Sequence, residues 1–455
     1  MKNTLVLLSI IFFLVSIPLS SQSLFDNISS SVGNDYKLGG FIRSGLYMNI
    51  PDGSASIPVS FAGLSLNAEA GNNTSYKAYF DIRYRYAREY GENVNKPALR
   101  EAWAAWYTPY TQLKAGKQII KWSRMDFFRL QDVTGPRNDL YRSFDPEDRY
   151  LGNISIEFRF KPSENISLNA LIIPRYRPSV LYVDFIDLPD IIEIGSVSPG
   201  YEYAISYGLR AEYYLRNFTA DISFFTGYNP LPGLALDTII MQAGNNGTVI
   251  SLKEQPFKVR TLSSGLEFAP GKCIIRAEAM WMDPEGDYRE NEYIMLPEIR
   301  WAAGLEYFIG DLQVLFEYSG KHLLNFEESV FDPELPDESS FSEFVTLPPD
   351  QILEYTRMQI GSFNRLYYYQ LNKLSHYAGL RLAYEKGFSF LSPSVNLLYN
   401  ITAGEYMVKP VLKIKPSDNL QLIAGAEIYI GTDNSLFDMI NDKLNSLYAG
   451  MKVHF

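Results

Sequence analysis

The chain has 455 residues, 15% of them aromatic and 20% charged, with a formal net charge of −11 and one cysteine. The acidic total argues against nucleic acid as a partner, and a lone cysteine excludes a disulfide framework. A mean hydropathy of −0.12, combined with 33 Tyr and 28 Phe, suits a chain in which apolar and polar residues alternate along strands facing two different media.

Met1–Ser23 reads as a secretory signal peptide: Lys2 precedes an apolar run from Leu5 to Leu19, and Ser21 and Ser23 form a small-x-small cleavage pair. No later stretch approaches the roughly 20 apolar residues of a membrane helix. Residues 24–35 are expected to be a short periplasmic lead-in, and 36–455 a single folded unit.

From Tyr36 onward the pattern has period two. In the first segment Leu38, Ile42, Leu46 and Met48 share one parity, against Lys37, Arg43 and Tyr47 on the other. Turns are expected at Pro51–Ser54 and at Gly71-Asn72-Asn73. The third segment sets Tyr76, Phe80, Ile82, Tyr84 and Tyr86 against Lys77, Asp81, Arg83 and Arg85. A soluble sandwich does not bury such a charged row without dedicated partners. The row recurs as Glu157, Arg210 with Glu212, Arg276 with Glu278, Arg300 with Glu306, Arg381, Lys409 with Lys413, and Glu427. One statement covers all of these: an all-β, closed antiparallel transmembrane β-barrel, oily outside and wet inside. These residues, with Lys114, are the predicted pore lining. Connections alternate between short and long, as outer-membrane barrels require, and the count comes to about 18 strands, with roughly 16 as the nearest alternative.

Leu99-Arg100-Glu101-Ala102-Trp103, a turn at Pro109, and Leu113 to Gln118, followed by Trp122, Asp126, Arg129, Asp132, Val133, Pro136 and Asp139, resemble the porin-like barrels related to the alginate-export family and its uncharacterised outer-membrane neighbours. The resemblance implies passive passage of solutes or of a polymer through an outer membrane, and it names no substrate. Within the hairpin, Gly116 removes a side chain where the wall bends or a neighbour packs closely. The stretch Ser123–Gly152 mixes both charge signs with aromatics and is the candidate constriction, with Asp126, Arg129, Asp132, Arg137 and Asp139 as its candidate residues. The other reading is a solvent-facing loop held by surface ion pairs worth about 0–1 kcal/mol each.

Val183–Ile194 carries isoleucines among acids, compatible with a short helix at the mouth. The stretch Glu327 to Glu343 is acidic and could take calcium or a cationic solute, although a solvated loop explains it as well. Chemistry finds little support. Of the histidines His322, His376 and His454, only His376 has a neighbouring Ser375, and adjacent strand residues point to opposite faces. No zinc spacing, phosphate loop or dinucleotide fingerprint is present, so no enzyme activity, metal or cofactor is expected.

The last segment, Leu447 to Phe455, keeps one apolar face up to the aromatic Phe455. This resembles the terminal signal of bacterial outer-membrane barrels, which implies the barrel-assembly machinery and outer-membrane lipid as partners in a diderm bacterium. The function expected is a porin-like channel for small polar or anionic solutes, favoured by an excess of inward Lys and Arg. The alternative is a polysaccharide exporter or a surface-binding, adhesin-like barrel.

Overall fold

The computed structural model describes residues 36–49, 56–72, 74–180, 192–241, 248–327, 348–384, 390–432 and 435–455. The expectations for the signal peptide and lead-in, for Pro51–Ser54, for most of Val183–Ile194 and for nearly all of the acidic stretch lie outside these residues.

The wall begins with β1 (Tyr36–Asn49), β2 (Ser56–Gly71), β3 (Tyr76–Glu89), β4 (Glu92–Tyr107), β5 (Thr111–Gln118), β6 (Asn153–Ser163) and β7 (Ile166–Ile173). Beyond a small strand, β8 (Ile192–Gly195), it continues with β9 (Ser206–Leu215) and β10 (Phe218–Tyr228). A hairpin of β11 (Gly233–Met241) and β12 (Thr248–Gln255) intervenes before β13 (Lys258–Phe268), β14 (Cys273–Pro284), β15 (Glu298–Ile309) and β16 (Leu312–Leu323). The last five are β17 (Leu374–Tyr384), β18 (Leu391–Asn400), β19 (Glu405–Ile414), β20 (Leu420–Ile430) and β21 (Ser446–His454). Eighteen of these strands form one sheet, and it closes because β21 pairs back onto β1 from Phe41↔His454 to Met48↔Leu447. Closure leaves no open edge.

The two faces follow the sequence parity. On β3, Tyr84 and Tyr86 are 42% and 54% exposed on the outside, while Asp81 and Arg85 are 2% and 7% exposed on the inside. Large apolar side chains are likewise exposed outward around the wall, among them Ile156, Leu209, Ile222, Leu305 and Phe316. The molecule is a closed antiparallel transmembrane β-barrel of 18 strands, with an apolar belt that a membrane covers.

Within the Leu99–Gln118 hairpin the structure adds a bulge. Asp81 faces Glu101, but Ile82 faces Leu99, so Arg100 is the extra residue. A bulge re-aims its side chain, and Arg100 Nη2 donates to the Glu147 carbonyl at 2.8 Å. Gly116 has φ +131°, and a Cβ there would meet the Ala102 carbonyl and Trp103 Cα, which accounts for a glycine at that point.

Two expectations need correction. The described end of Val183–Ile194 is strand, not helix: β8 pairs parallel with β12, Ile192 facing Ile250 and Ile194 facing Leu252, because alternating β-branched residues found a partner strand. The inner face is also not uniformly charged and wet. Leu171, Ile173, Phe225, Val259, Met280 and Met282 point inward and join Trp122, Met125, Leu130, Leu234, Leu252 and Tyr368 in one apolar cluster. Parity reports which side a residue faces and says nothing about what fills that side. Here the long connections fold over the wall, together with helix α1 (Pro349–Tyr367). The Asn364 side chain ties that helix to both backbone groups of Leu234, at 2.8 and 2.7 Å. A second helix, α2 (Leu436–Leu444), is capped by the Ser435 side chain.

Candidate functional site: a connection held against the inner wall

The connection 119–152, between β5 and β6, does not stand free in solvent. Its first arm lies against β14, β16 and β17. Glu278 accepts from Ser123 Oγ at 2.9 Å, from the Arg124 N–H at 2.6 Å and from the Leu130 N–H at 3.2 Å. Glu317 accepts from three consecutive N–H groups, those of Asp126, Phe127 and Phe128, at 2.7, 2.9 and 3.2 Å. Both carboxylates are buried, at 3% and 0% exposure. A loop folded away from water must find acceptors for its N–H groups, and charge-assisted bonds to wall carboxylates supply them. Phe127 packs where Gly379 leaves room, since a Cβ there would sit 2.6 Å from the ring. Asp132 braces the arm internally by accepting from the N–H groups of Trp122 and Ser123, at 2.7 and 2.9 Å. Burial pushes its carboxyl above the ordinary range.

The second arm, residues 141–149, lies against β1–β3 and β20–β21. Arg142 pairs with Glu427, which also holds Lys409, and donates to the Leu444 carbonyl at 2.9 Å. The Arg142 carbonyl in turn accepts from Arg85 at 3.1 Å. Asp148 sits between Arg43 and Arg83. Burial by itself would raise the Asp148 carboxyl, but the two guanidiniums, backed by the Ser143 hydroxyl, hold it well below the usual carboxylate range. A carboxyl depressed in the folded state contributes stability above its unfolded value and loses it as pH falls through the folded one. Asp148→Asn is therefore expected to cost about 2–3 kcal/mol equally at pH 7 and at about pH 5. Thermal unfolding of the detergent-folded protein at both pH values checks this, and a cost already halved at pH 5 would contradict it.

The residues predicted from the pattern lie on the inner parity of their strands, and most are neutralised. Lys77 pairs with Glu69 at 3.0 Å, Glu157 with Arg159 at 3.3 Å, and Arg276 with Glu306 at 2.8 Å. Arg210 and Arg124 share Asp221 at 3.0 and 3.1 Å, with Glu212 beside them. Arg300 pairs with Glu298, and Lys114 lies over the Trp103 ring at 4.1 Å. Arg381 and Asp126 face each other at 3.6 Å with side chains 31% and 32% exposed. Among the described residues, Lys413 has no carboxylate within 4.0 Å. In the loop, Arg129 lies 3.8 Å from Asp132 and 3.6 Å from Glu147, and Arg137 lies 2.8 Å from Asp139.

Reading by pattern missed Glu317, Phe144 and Gly379. Glu317 had a usable signal, an acid alternating with Val314, Phe316 and Tyr318; the glycines facing loop aromatics had none. His376 bonds the Tyr318 hydroxyl through Nδ1 at 2.6 Å, and Ser375 lies on the opposite, buried face. No group of three His, Cys, Asp or Glu among the described residues is arranged to hold a metal.

No family model and no curated protein matches the sequence. Among solved structures, OccK3 (OpdO) of Pseudomonas aeruginosa is similar in fold, with a TM-score of 0.52, 12% identity, and coverage of 94% of this chain and 97% of that one. OpdQ of the same organism also has a TM-score of 0.52, at 11% identity, covering 93% of this chain and 99% of its own. These likenesses support the barrel; the resemblance of the Leu99–Gln118 hairpin to alginate-export barrels gains nothing from them.

Proposed function

We propose that the protein is an outer-membrane channel for passive passage of small polar solutes, biased towards anions, with the connection 119–152 as its constriction. The observation that carries this reading is one connection bonded to opposite sides of the polar inner face, through Glu278 and Glu317 on one arm and Glu427, Arg43 and Arg83 on the other. Such a bridge narrows a barrel without closing its wall. The bias rests on Lys413, which among the described residues has no carboxylate within 4.0 Å, and on Arg381, whose side chain stays 31% exposed beside Asp126; incompletely neutralised cations in a narrow path favour anions. Arg83 and Arg85, already tied to Asp148 and Glu89, contribute less than their parity implied.

The test is refolded protein in planar bilayers under a salt gradient. Discrete conductance steps are expected, with a reversal potential on the anion side that moves towards zero in Arg381→Ala and Lys413→Ala. Deleting Asp132 to Asp145 is expected to raise the conductance several-fold. Cation preference in the unaltered protein, or a deletion that leaves conductance unchanged, would overturn the proposal. The apolar cluster over β7–β15 favours a second reading, an exporter or surface-binding barrel acting through its loops, which predicts silent bilayers.

Signal-peptide export, residence in the outer membrane of a diderm bacterium and delivery by the barrel-assembly machinery belong to the same proposal. Phe455 supports the last of these: it exchanges backbone hydrogen bonds with Gly40 at 3.0 and 3.1 Å, so the aromatic terminus is part of the closing strand pair.

A further inference from the structure

We propose that loop residues 143–148 form an internal clasp on the seam that closes the barrel, with Phe144 as its centre. The proposal does not depend on what passes through the barrel.

The pairing of β1 with β21 joins strands from opposite ends of the chain, and in its middle Gly45 faces Gly450. Two glycines opposite one another are a weak point in a ladder, having no side chains to pack across the strands and the most backbone freedom to lose. Here the missing side chains are replaced by a ring from elsewhere. A Cβ on either glycine would collide with Phe144, which is 7% exposed. Its ring stacks on Tyr47 of β1 at 6.1 Å and on Tyr448 of β21 at 5.7 Å, and those two tyrosines are themselves partners in the register. The grip is repeated on both sides by charge. Asp145 takes Lys452 of β21 at 2.8 Å, while Ser143 and Asp148 take Arg43 of β1.

A core aromatic needing only a dry site would be served by one strand. Phe144 instead occupies a slot made by a glycine on each side of the seam, and six residues of loop contact both strands. The seam therefore cannot part without unseating the ring and breaking ion pairs on either flank. Equally, the second arm has its complete docking surface only after β1 and β21 have met.

The experiment follows conversion of the folded to the unfolded electrophoretic band of the full-length protein in SDS at fixed temperature. It is run with and without a seam disulfide at the facing pair Ser44↔Met451, made as Ser44→Cys with Met451→Cys. Phe144→Ala is expected to convert at least tenfold faster than the unaltered protein when the seam is free, and within about twofold of it when the disulfide is closed. Reduction should restore the difference. Trp122→Ala, which empties a site on the inner wall at Gly208 away from the seam, should accelerate conversion in both backgrounds. No acceleration by Phe144→Ala, or the same acceleration with the seam crosslinked, would overturn the clasp. If Phe144→Ala gives no folded band, recovery of that band by the disulfide alone supports the proposal, and failure to recover it while Phe144→Leu behaves like the unaltered protein in both backgrounds counts against it.

Discussion

Glu317→Ala is expected to free the first arm of the connection 119–152 and to destabilise the folded barrel by about 3–4 kcal/mol, because three half-buried N–H donors lose their acceptor together. The carboxylate is 0% exposed and receives the backbone of Asp126, Phe127 and Phe128, so water must enter to replace it. The loss stays below a simple sum over three bonds because a released arm can be hydrated. Glu317→Gln keeps one acceptor oxygen and the side-chain shape, and is expected to lose about half as much. Denaturant unfolding of protein folded in lipid measures both variants, and bilayer conductance should rise in the alanine variant. A loss under about 1 kcal/mol for alanine would mean that the carboxylate does not hold the arm.

Glu427→Ala is expected to cost about 3–5 kcal/mol and to exceed Arg142→Ala. Glu427 is 1% exposed and serves two cations, Arg142 from the loop and Lys409 from β19. Removing the acid leaves the buried Arg142 and the half-buried Lys409 as two positive charges with no acid between them. Removing Arg142 leaves an acid that Lys409 still neutralises, so the cost falls towards the lower end of that range. The order of the two losses in equilibrium unfolding is the decisive reading. Equal losses, or a larger one for Arg142→Ala, would show that Lys409 and Arg142 do not share the acid. A double-mutant cycle between Arg142 and Glu427 then reports the coupling itself.

Much of the wall was legible before any coordinates. The alternation on β3 predicts both the outward Tyr84 and Tyr86 and the buried Asp81 and Arg85, because a strand between two media must show one face to each. The turn at Pro109, between β4 and β5, is likewise a local signal. The bulge at Arg100 was not legible, since one extra residue in a ladder leaves the composition on either side unchanged. Nor were the helices α1 and α2 and the β8–β11–β12 sheet legible inside connections marked out only by their length.

Parity along the chain by itself determined a membrane-spanning closed sheet of about 18 strands and the inward side of Arg43, Glu278, Arg381 and Glu427, since the face a strand residue takes depends on neighbours one or two residues away. Only the tertiary structure decided which inward charges meet water and which meet the loop. Glu278 and Glu317 receive N–H groups 154 and 191 residues distant, and Phe144 finds its slot on strands from both ends of the chain. Such partners are selected by closure of the ring and the path of a connection through it, and a pattern of period two carries no information about either.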